Sequence, residues 1–329
     1  MKVAIVILNW NGKKLLEQFL PSVIEYSEQA TIYVADNASS DDSIEFVLEN
    51  FPSVKIIKNT ENGGYAKGYN DALKDLNEEI LCLLNNDIEV TKDWLLPILG
   101  TFEKEPNTAI IQPKILDYKQ KDYFEYAGAG GGFIDKFGYP YCRGRIFNTI
   151  EKDLGQYNDI EDIFWASGAC LFIRNHVFKK LNAFDENFFA HMEEIDLCWR
   201  AKNLGYNVMY VGESEVYHVG GATLNNSNPK KTYLNFRNSL YALTKNAKGN
   251  LFLLILTRLI LDGVAGVKFL LEFKLKHITA IIRAHYSFYS HLSVLLKQRK
   301  SLEKRKKYYN LTSIVLNYYV YKNRLYKSL

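Results

Sequence analysis

Short, mostly apolar runs at residues 3–8, 31–35, 54–57 and 80–84 alternate with segments at 13–20, 43–51 and 66–76 whose apolar residues recur at helical spacing. Apolar runs of this length read as strands buried on both faces of a sheet, and the segments between them as helices that cover those faces. Strand–helix alternation at this pitch predicts a doubly wound, mostly parallel α/β sheet with right-handed crossovers. Pro52 stops the second helix, and Asp93-Trp94-Leu95 begins a fourth.

Each strand is followed by a polar cluster: Asn9-Trp10-Asn11, Asp36-Asn37, Asn62-Gly63-Gly64 and Asn85-Asn86-Asp87. In a parallel sheet all four open on the carboxyl edge, where open α/β sheets bind their ligands. Taken singly, each cluster is also an ordinary turn or helix cap. Four in succession point to a site. A carboxylate there can accept from a base or ribose, and backbone amides near Gly63-Gly64 can approach a nucleotide closely. Neither G-x-G-x-x-G nor G-x-x-x-x-G-K-[ST] occurs, which argues against NAD and against a P-loop ATPase.

In the second half, residues 126–133 are too glycine-rich for regular structure and read as a packed loop, with a mobile lid as the alternative. Residues 164–174 read as a strand with small residues at its middle, in which Trp165 either stacks on a sugar or fills the core. Residues 188–201 carry Glu193, Glu194 and Asp196 at the start of a helix. One acid there favours the macrodipole, but three within four residues exceed that need. Residues 208–211 are a further strand, and Val216-Tyr217-His218 follows. A lone His is commonly a packed or capping residue. Arg237 either pairs with phosphate or caps and packs.

Composition changes the picture at the tail. The 329 residues are 47% apolar, enough for one large core or one large and one small. Residues 268–329 carry fourteen Lys/Arg against two Asp/Glu, +12, whereas the preceding 267 carry twenty-seven against thirty-five, −8. Two parts are therefore expected, 1–225 and 226–329, joined through the loop-like stretch 225–231. Residues 251–271 read as an amphipathic helix. The basic clusters at 297–300 and 304–307, with tyrosines beside them, suit an anionic membrane surface, the alternative being a helical bundle on the catalytic domain or a second subunit. Cys82, Cys142, Cys170 and Cys198 show no CxxC spacing and read as reduced, packed thiols in a cytosolic protein. The run after Met1-Lys2 is too short for a signal peptide, and no stretch reaches the length of a membrane span.

Together Ile7-Leu8-Asn9-Trp10-Asn11-Gly12, Val34-Ala35-Asp36-Asn37-Ala38-Ser39-Ser40-Asp41, Asn62-Gly63-Gly64-Tyr65-Ala66-Lys67-Gly68-Tyr69-Asn70 and Leu84-Asn85-Asn86-Asp87 resemble family 2 glycosyltransferases. The likeness is nearest to the bacterial rhamnosyl- and galactofuranosyl-transferase branch and runs over roughly residues 1–240. It implies a GT-A fold, a UDP- or dTDP-sugar donor, inversion at the anomeric carbon, and a divalent cation, Mg²⁺ or Mn²⁺. By this resemblance Asp36 holds the base and ribose, and Asn9, Asn11, Asn37, Gly63, Gly64, Asn70, Asn86 and Arg237 border the donor. Asp87 is the last position of the D-x-D metal motif, whose first position is Asn85 here. His218 completes the metal shell.

The resemblance also places an acceptor border at Ser167 and Gly168, with Trp165 beside them. The family's acidic motif, Glu-Asp-x-Asp/Glu, makes Glu194 the base, with Glu193 and Asp196 supporting it. The acceptor implied is a glycan or a polyprenyl-linked sugar, used in cell-surface polysaccharide synthesis at the inner face of the membrane. Two other classes remain: a nucleic-acid binder, which leaves the strand-end clusters idle, and a catalytically silent scaffold, suggested by Asn85 and Glu194.

Overall fold

The computed structural model describes residues 1–220, 228–303 and 307–329. The first strands and helices follow the sequence pattern: β1 Val3–Asn9, α1 Lys13–Glu25, β2 Ala30–Asp36, α2 Ser43–Asn50, β3 Lys55–Lys58, α3 Gly64–Leu73, β4 Ile80–Asn85. Then come β5 Ile88–Val90, α4 Leu95–Lys104 and β6 Thr108–Asp117. A small meander, β7 Gly132–Ile134, β8 Pro140–Cys142, β9 Arg145–Ile146 and β10 Thr149–Ile150, precedes β11 Ile160–Asp162, β12 Cys170–Arg174 and α5 Asn175–Lys180. The chain continues through α6 Glu193–Asn203, β13 Asn207–His218, α7 Pro229–Asn246, α8 Leu251–Leu271, α9 Leu275–Ser301 and α10 Ile314–Tyr319.

The main sheet runs β11-β13-β6-β12-β4-β1-β2-β3, with β5 added on β13. Strands β4, β1, β2 and β3 are parallel, and β12 enters antiparallel between β4 and β6. Period-two alternation sorts the apolar residues of β1 and β4. Val3, Ile5, Ile7, Ile80, Cys82 and Leu84 pack against α1, α2 and α4. Ala4, Val6, Leu81 and Leu83 pack on the other face against α3 and α6.

Several expected boundaries move. Helix α1 continues through Pro21 to Glu25. Within 164–174 only 170–174 is strand. The two pieces expected at 208–211 and 216–218 are one strand, β13, with a register shift between Val211 and Glu215. Strand β6 escapes the apolar pattern because Gln112 and Lys114 interrupt it, yet both are buried. Lys114 pairs there with Asp153 at 2.8 Å. All four cysteines are buried and free, and the glycine-rich loop at 126–133 is packed, with Gln112 donating to the carbonyls of Gly128 and Ala129.

The C-terminal helices share the core of the sheet. Leu240, Phe288, Leu295, Tyr308 and Ile314 belong to the same apolar cluster as β4 and α6, so 226–329 builds on the sheet. Residues 221–227 and 304–306, including the start of the expected linker and most of the second basic cluster, lie outside the described residues. Arg258 and Asp262 bind α8 to the body. Arg258 Nε donates to Asp262 Oδ1 at 2.8 Å, both are buried, and Asp262 also accepts from the Tyr139 hydroxyl at 2.8 Å. Asp262→Ala strands a buried guanidinium and is expected to cost about 3–5 kcal/mol, measured by chemical denaturation.

Candidate active site

The parallel register sets Asn9 beside Asp36 and Leu8 beside Asn85, so three strand ends meet at one edge. Asn9 is fully buried and its Oδ1 accepts from Asn86 Nδ2 at 3.0 Å. A side chain at Gly12 would collide with both amides, which is why a glycine stands there. Asp36 Oδ2 accepts from the Ser39 amide at 3.1 Å, while Oδ1 is shielded and has no protein partner. A buried carboxylate oxygen left open is suited to a ligand N–H or O–H. Asn37 Nδ2 donates to Asn62 Oδ1 and to the Gly64 carbonyl, tying the glycine loop to β2. Asn11 closes the neighbouring loop by accepting from the Ser40 amide at 2.7 Å.

Gly64 has φ +76°, and a Cβ there would lie 2.6 Å from the Phe189 carbonyl. The same carbonyl accepts from the Tyr65 amide at 3.0 Å, and the Tyr65 hydroxyl donates to the Gly168 carbonyl at 2.7 Å. The glycine loop therefore touches both the segment before α6 and the turn at Gly168. That turn reaches β4 as well, since the Asn85 amide donates to Ala169 at 2.9 Å.

The segment before α6 is strained. Phe189, His191 and Met192 all have positive φ (65°, 67° and 73°), a conformation costly for side chains larger than glycine. Asn238 on α7 holds it, its Nδ2 donating to the carbonyls of Phe188 (3.0 Å), Ala190 (2.9 Å) and His191 (2.7 Å). From this loop Glu193 and Glu194 start α6. Burial, then the neighbouring Glu194, pushes the Glu193 carboxyl well above the usual range, and its Oε2 has no partner. Burial also raises Glu194, to about 7, although amides at the helix start favour its charged form. Glu194 keeps a partial opening to solvent, whereas Glu193 is enclosed. Burial pushes His191 down to about 4, leaving a neutral imidazole beside the acids.

A second constellation forms where β13 passes β5. The pairing puts His218 opposite Ile88, and its Nε2 lies 3.1 Å from Asp87 Oδ1 and 3.5 Å from Asn85 Nδ2. On the ring's other side Nδ1 is 3.3 Å from Glu125 Oε2. Burial works against the imidazolium, but Asp87 and Glu125 outweigh it and raise the pKa to about 10. Asp87 and His218, both buried and converging, suit a divalent cation. Among the described residues no three His, Cys, Asp or Glu side chains form a metal cluster, so Asp87 and His218 offer two ligands. Glu125 backs the imidazole in the manner of a carboxylate behind a metal-binding histidine.

Five expected site residues take other roles. Asp196 is wholly buried and bound to Arg200 (2.8 Å), Lys245 (2.9 Å) and Asn246 (2.7 Å). Burial opposes its charge, but the two cations lower it to about 2. It braces α6. Trp165 is 4% exposed and donates to the Phe133 carbonyl at 2.9 Å, so it fills the core and offers no face to a sugar. Ser167 is buried, its hydroxyl donating to the Ala127 carbonyl. Arg237 donates to the carbonyls of Asn187 and Phe188, and Asn70 is held by Phe184. Glu125 and Asn238 were missed. Asn238 is the chain neighbour of Arg237, and a lone asparagine within a helix carries no signal of its own. Nothing in sequence spacing marks Glu125.

The mostly parallel, doubly wound sheet with its helical C-terminal region is a GT-A fold. The family model described as Glycosyl transferase family 2 matches residues 4–181, and the chain belongs to that family and is a glycosyltransferase. It is 25% identical over 292 residues to the low-salt glycan biosynthesis hexosyltransferase Agl10 of Haloferax volcanii, covering 85% of this chain and 88% of that one. It is 24% identical over 233 residues to the N-acetylglucosaminyl-diphospho-decaprenol L-rhamnosyltransferase of Mycobacterium tuberculosis, covering 65% and 75%. Among solved structures, GalNAc-T7 with UDP, GalNAc and Mn²⁺ aligns with TM-score 0.56 at 16% identity over 74% of this chain and 48% of that one. The mannosyltransferase PcManGT from Pyrobaculum calidifontis, with GDP-Man and Mn²⁺, aligns with TM-score 0.54 at 13% identity over 91% and 73%.

Asn238→Ala removes the two N–H donors that three carbonyls of the strained loop share. At about 1 kcal/mol each, it is expected to lower stability by about 2 kcal/mol and to reduce kcat more than donor affinity, checked by thermal unfolding and steady-state kinetics.

Proposed function

We propose that the chain transfers a sugar, with inversion, from a UDP- or dTDP-sugar to a glycan or polyprenyl-linked acceptor. The observation that carries this is the buried Glu193–Glu194 pair on the loop that contacts the Gly63-Gly64 turn. Like charges in a shared low-dielectric site separate in pKa, so Glu193 stays protonated while Glu194 ionises near neutrality. A carboxylate poised near pH 7 is an effective general base. Glu194 takes the proton of the acceptor hydroxyl as the acceptor oxygen bonds the anomeric carbon. The bond from that carbon to the diphosphate breaks, and its electron pair leaves with the nucleoside diphosphate.

Asp36 and the Asn9 and Asn37 loops hold the nucleoside, and Gly64 admits the backbone to the diphosphate side. Asp87 and His218, with Asn85 adjacent, are the residues that would bind Mg²⁺ or Mn²⁺, which supplies positive charge to the leaving diphosphate. The names of the archaeal hexosyltransferase and the mycobacterial rhamnosyltransferase support a glycan or lipid-linked acceptor.

Nucleoside diphosphate release from UDP- and dTDP-sugars, with polyprenyl-diphosphate acceptors, tests the activity. Glu194→Gln is expected to lower kcat about 10²–10⁴-fold with donor Kd nearly unchanged. A dead Glu193→Gln beside an active Glu194→Gln overturns the assignment. Because the folded pKa of Glu194 is raised, the group is uncharged below it, and kcat/KM should climb as pH passes through about 7. The same sign governs stability, which Glu194 loses as pH rises from its unfolded to its folded pKa. Glu194→Gln should therefore gain in melting temperature over wild type at pH 8 relative to pH 5.

Glu125→Gln, which leaves the imidazole in place but removes the charge behind it, is expected to weaken Mn²⁺ binding about 10–100-fold by calorimetric titration.

A further inference from the structure

Helix α8 is built inside out. Its buried positions are Leu254, Arg258 and Asp262, one turn apart, so its first two charged residues point into the protein. Its exposed face carries Leu253, Leu256, Ile260, Val264, Val267 and Leu271, spaced by three and four residues along the whole helix. Lys268 is the one charge on that face. A surface helix of a water-soluble protein shows the reverse pattern, with charge outward and the apolar stripe against the core. Twenty-one residues make this stripe about 30 Å long, too large for an incidental patch.

The apolar surface continues past the turn. Phe273, at the tip between α8 and α9, is 91% exposed. On α9, Leu275, Ile282, Tyr286 and Tyr289 are also exposed. Helical spacing puts them on one strip, between the side that meets α8 through His285 and Asp262 (3.1 Å) and the side bearing Lys276 and Arg283. Beside that cationic side a cleft of about 460 Å³ separates α9 from the start of α7, lined by Lys230, Tyr233, Lys276, Thr279 and Arg283 and by no acid. Lys230, Lys276 and Arg283 form no ion pair among the described residues. Glu272 is the single acid at the turn, paired with Lys274 at 2.7 Å.

We propose that the outer face of α8, with the tip at Phe273 and the strip on α9, lies on an anionic lipid bilayer. The apolar stripe enters the headgroup boundary and Lys230, Lys268, Lys276 and Arg283 meet lipid phosphates. The helix lies in the surface plane. Its opposite face is pinned to the protein by Arg258 and Asp262, and among the described residues no helix is long and apolar enough to cross a membrane. Charge complementarity selects this occupant over a second copy of the chain. Symmetric packing would set one cationic rim against another with only Glu272 to offset it, whereas anionic headgroups complement rim and stripe together. Helix α7, which carries Asn238, packs on both α8 and α9, so the docked face is one helix from the catalytic loop.

Docking deepens the proposed function, since it brings the enzyme to a lipid-linked acceptor, but it rests on the outer surface of α8 and α9 and is tested without sugar transfer. The full chain is floated with vesicles of phosphatidylglycerol and phosphatidylcholine, and with phosphatidylcholine alone, at 0.1 M and 0.5 M NaCl. Binding is expected to the anionic vesicles, at least tenfold weaker in high salt and on neutral vesicles. Ile260→Glu/Val264→Glu and Lys276→Glu/Arg283→Glu, all at exposed positions, should each reduce it at least tenfold while circular dichroism and soluble-donor binding stay at wild-type values. Equal flotation with both vesicle types, or no loss in a folded Ile260→Glu/Val264→Glu variant, overturns the proposal. So does a wild-type dimer that this variant converts to monomer without any vesicle binding, which would make the face a self-interface.

Discussion

The site depends on one side-chain amide. Asn238 donates to the carbonyls of Phe188, Ala190 and His191 in a loop where three non-glycine residues have positive φ. Such a loop does not hold itself, because each such residue costs free energy that ordinary turns avoid. With the loop held, α6 starts where two carboxyls are buried side by side. Asp196, two residues beyond Glu194, is tied to α7 through Lys245 and Asn246, which opposes a rotation of α6 that would expose the acids. The buried ion network thus keeps two unpaired acids in place nearby. One set of carboxylates is neutralised by cations, and the other is left to hold or move a proton.

The same contrast recurs at His218. Two carboxylates flank one imidazole, and the three belong to separate segments brought together by strand pairing of β13 with β5 and β6. Gly220, with φ +68°, leaves room for the Glu125 carboxylate, where a Cβ would stand 2.6 Å from its oxygen. The resulting pocket has more negative than positive charge, a condition that favours positive charge there, whether a proton on the imidazole or a divalent cation. Glu125 adds a second carboxylate to the imidazole from outside the strand-end motif.

Helix α8 explains why charge within an apolar run is an ambiguous signal. Arg258 and Asp262 interrupt the run at 251–271, which in sequence suggests a polar face toward water. In the folded chain they satisfy each other and Tyr139 within the protein, and water sees the leucines and isoleucine. Both arrangements have the same periodicity. Only the partner surface decides which side is inside.

The strand–helix alternation of the first half and the polar edge its strands share are written locally, because strand burial and strand-end turns depend on neighbours within a few residues. Those features are legible without coordinates. The roles of Trp165, Asp196, Arg237 and Asn70 are not, since a tryptophan, an acid or an arginine reads alike whether it faces a ligand or a carbonyl of another segment. Glu125 and Asn238 act on groups 93 and about 50 residues away in the chain, across contacts made by packing alone. Sequence determined which residues could do chemistry at the carboxyl edge. Tertiary packing decided which acids stay unpaired, which carboxylate stands behind the histidine, and which side of α8 meets the solvent.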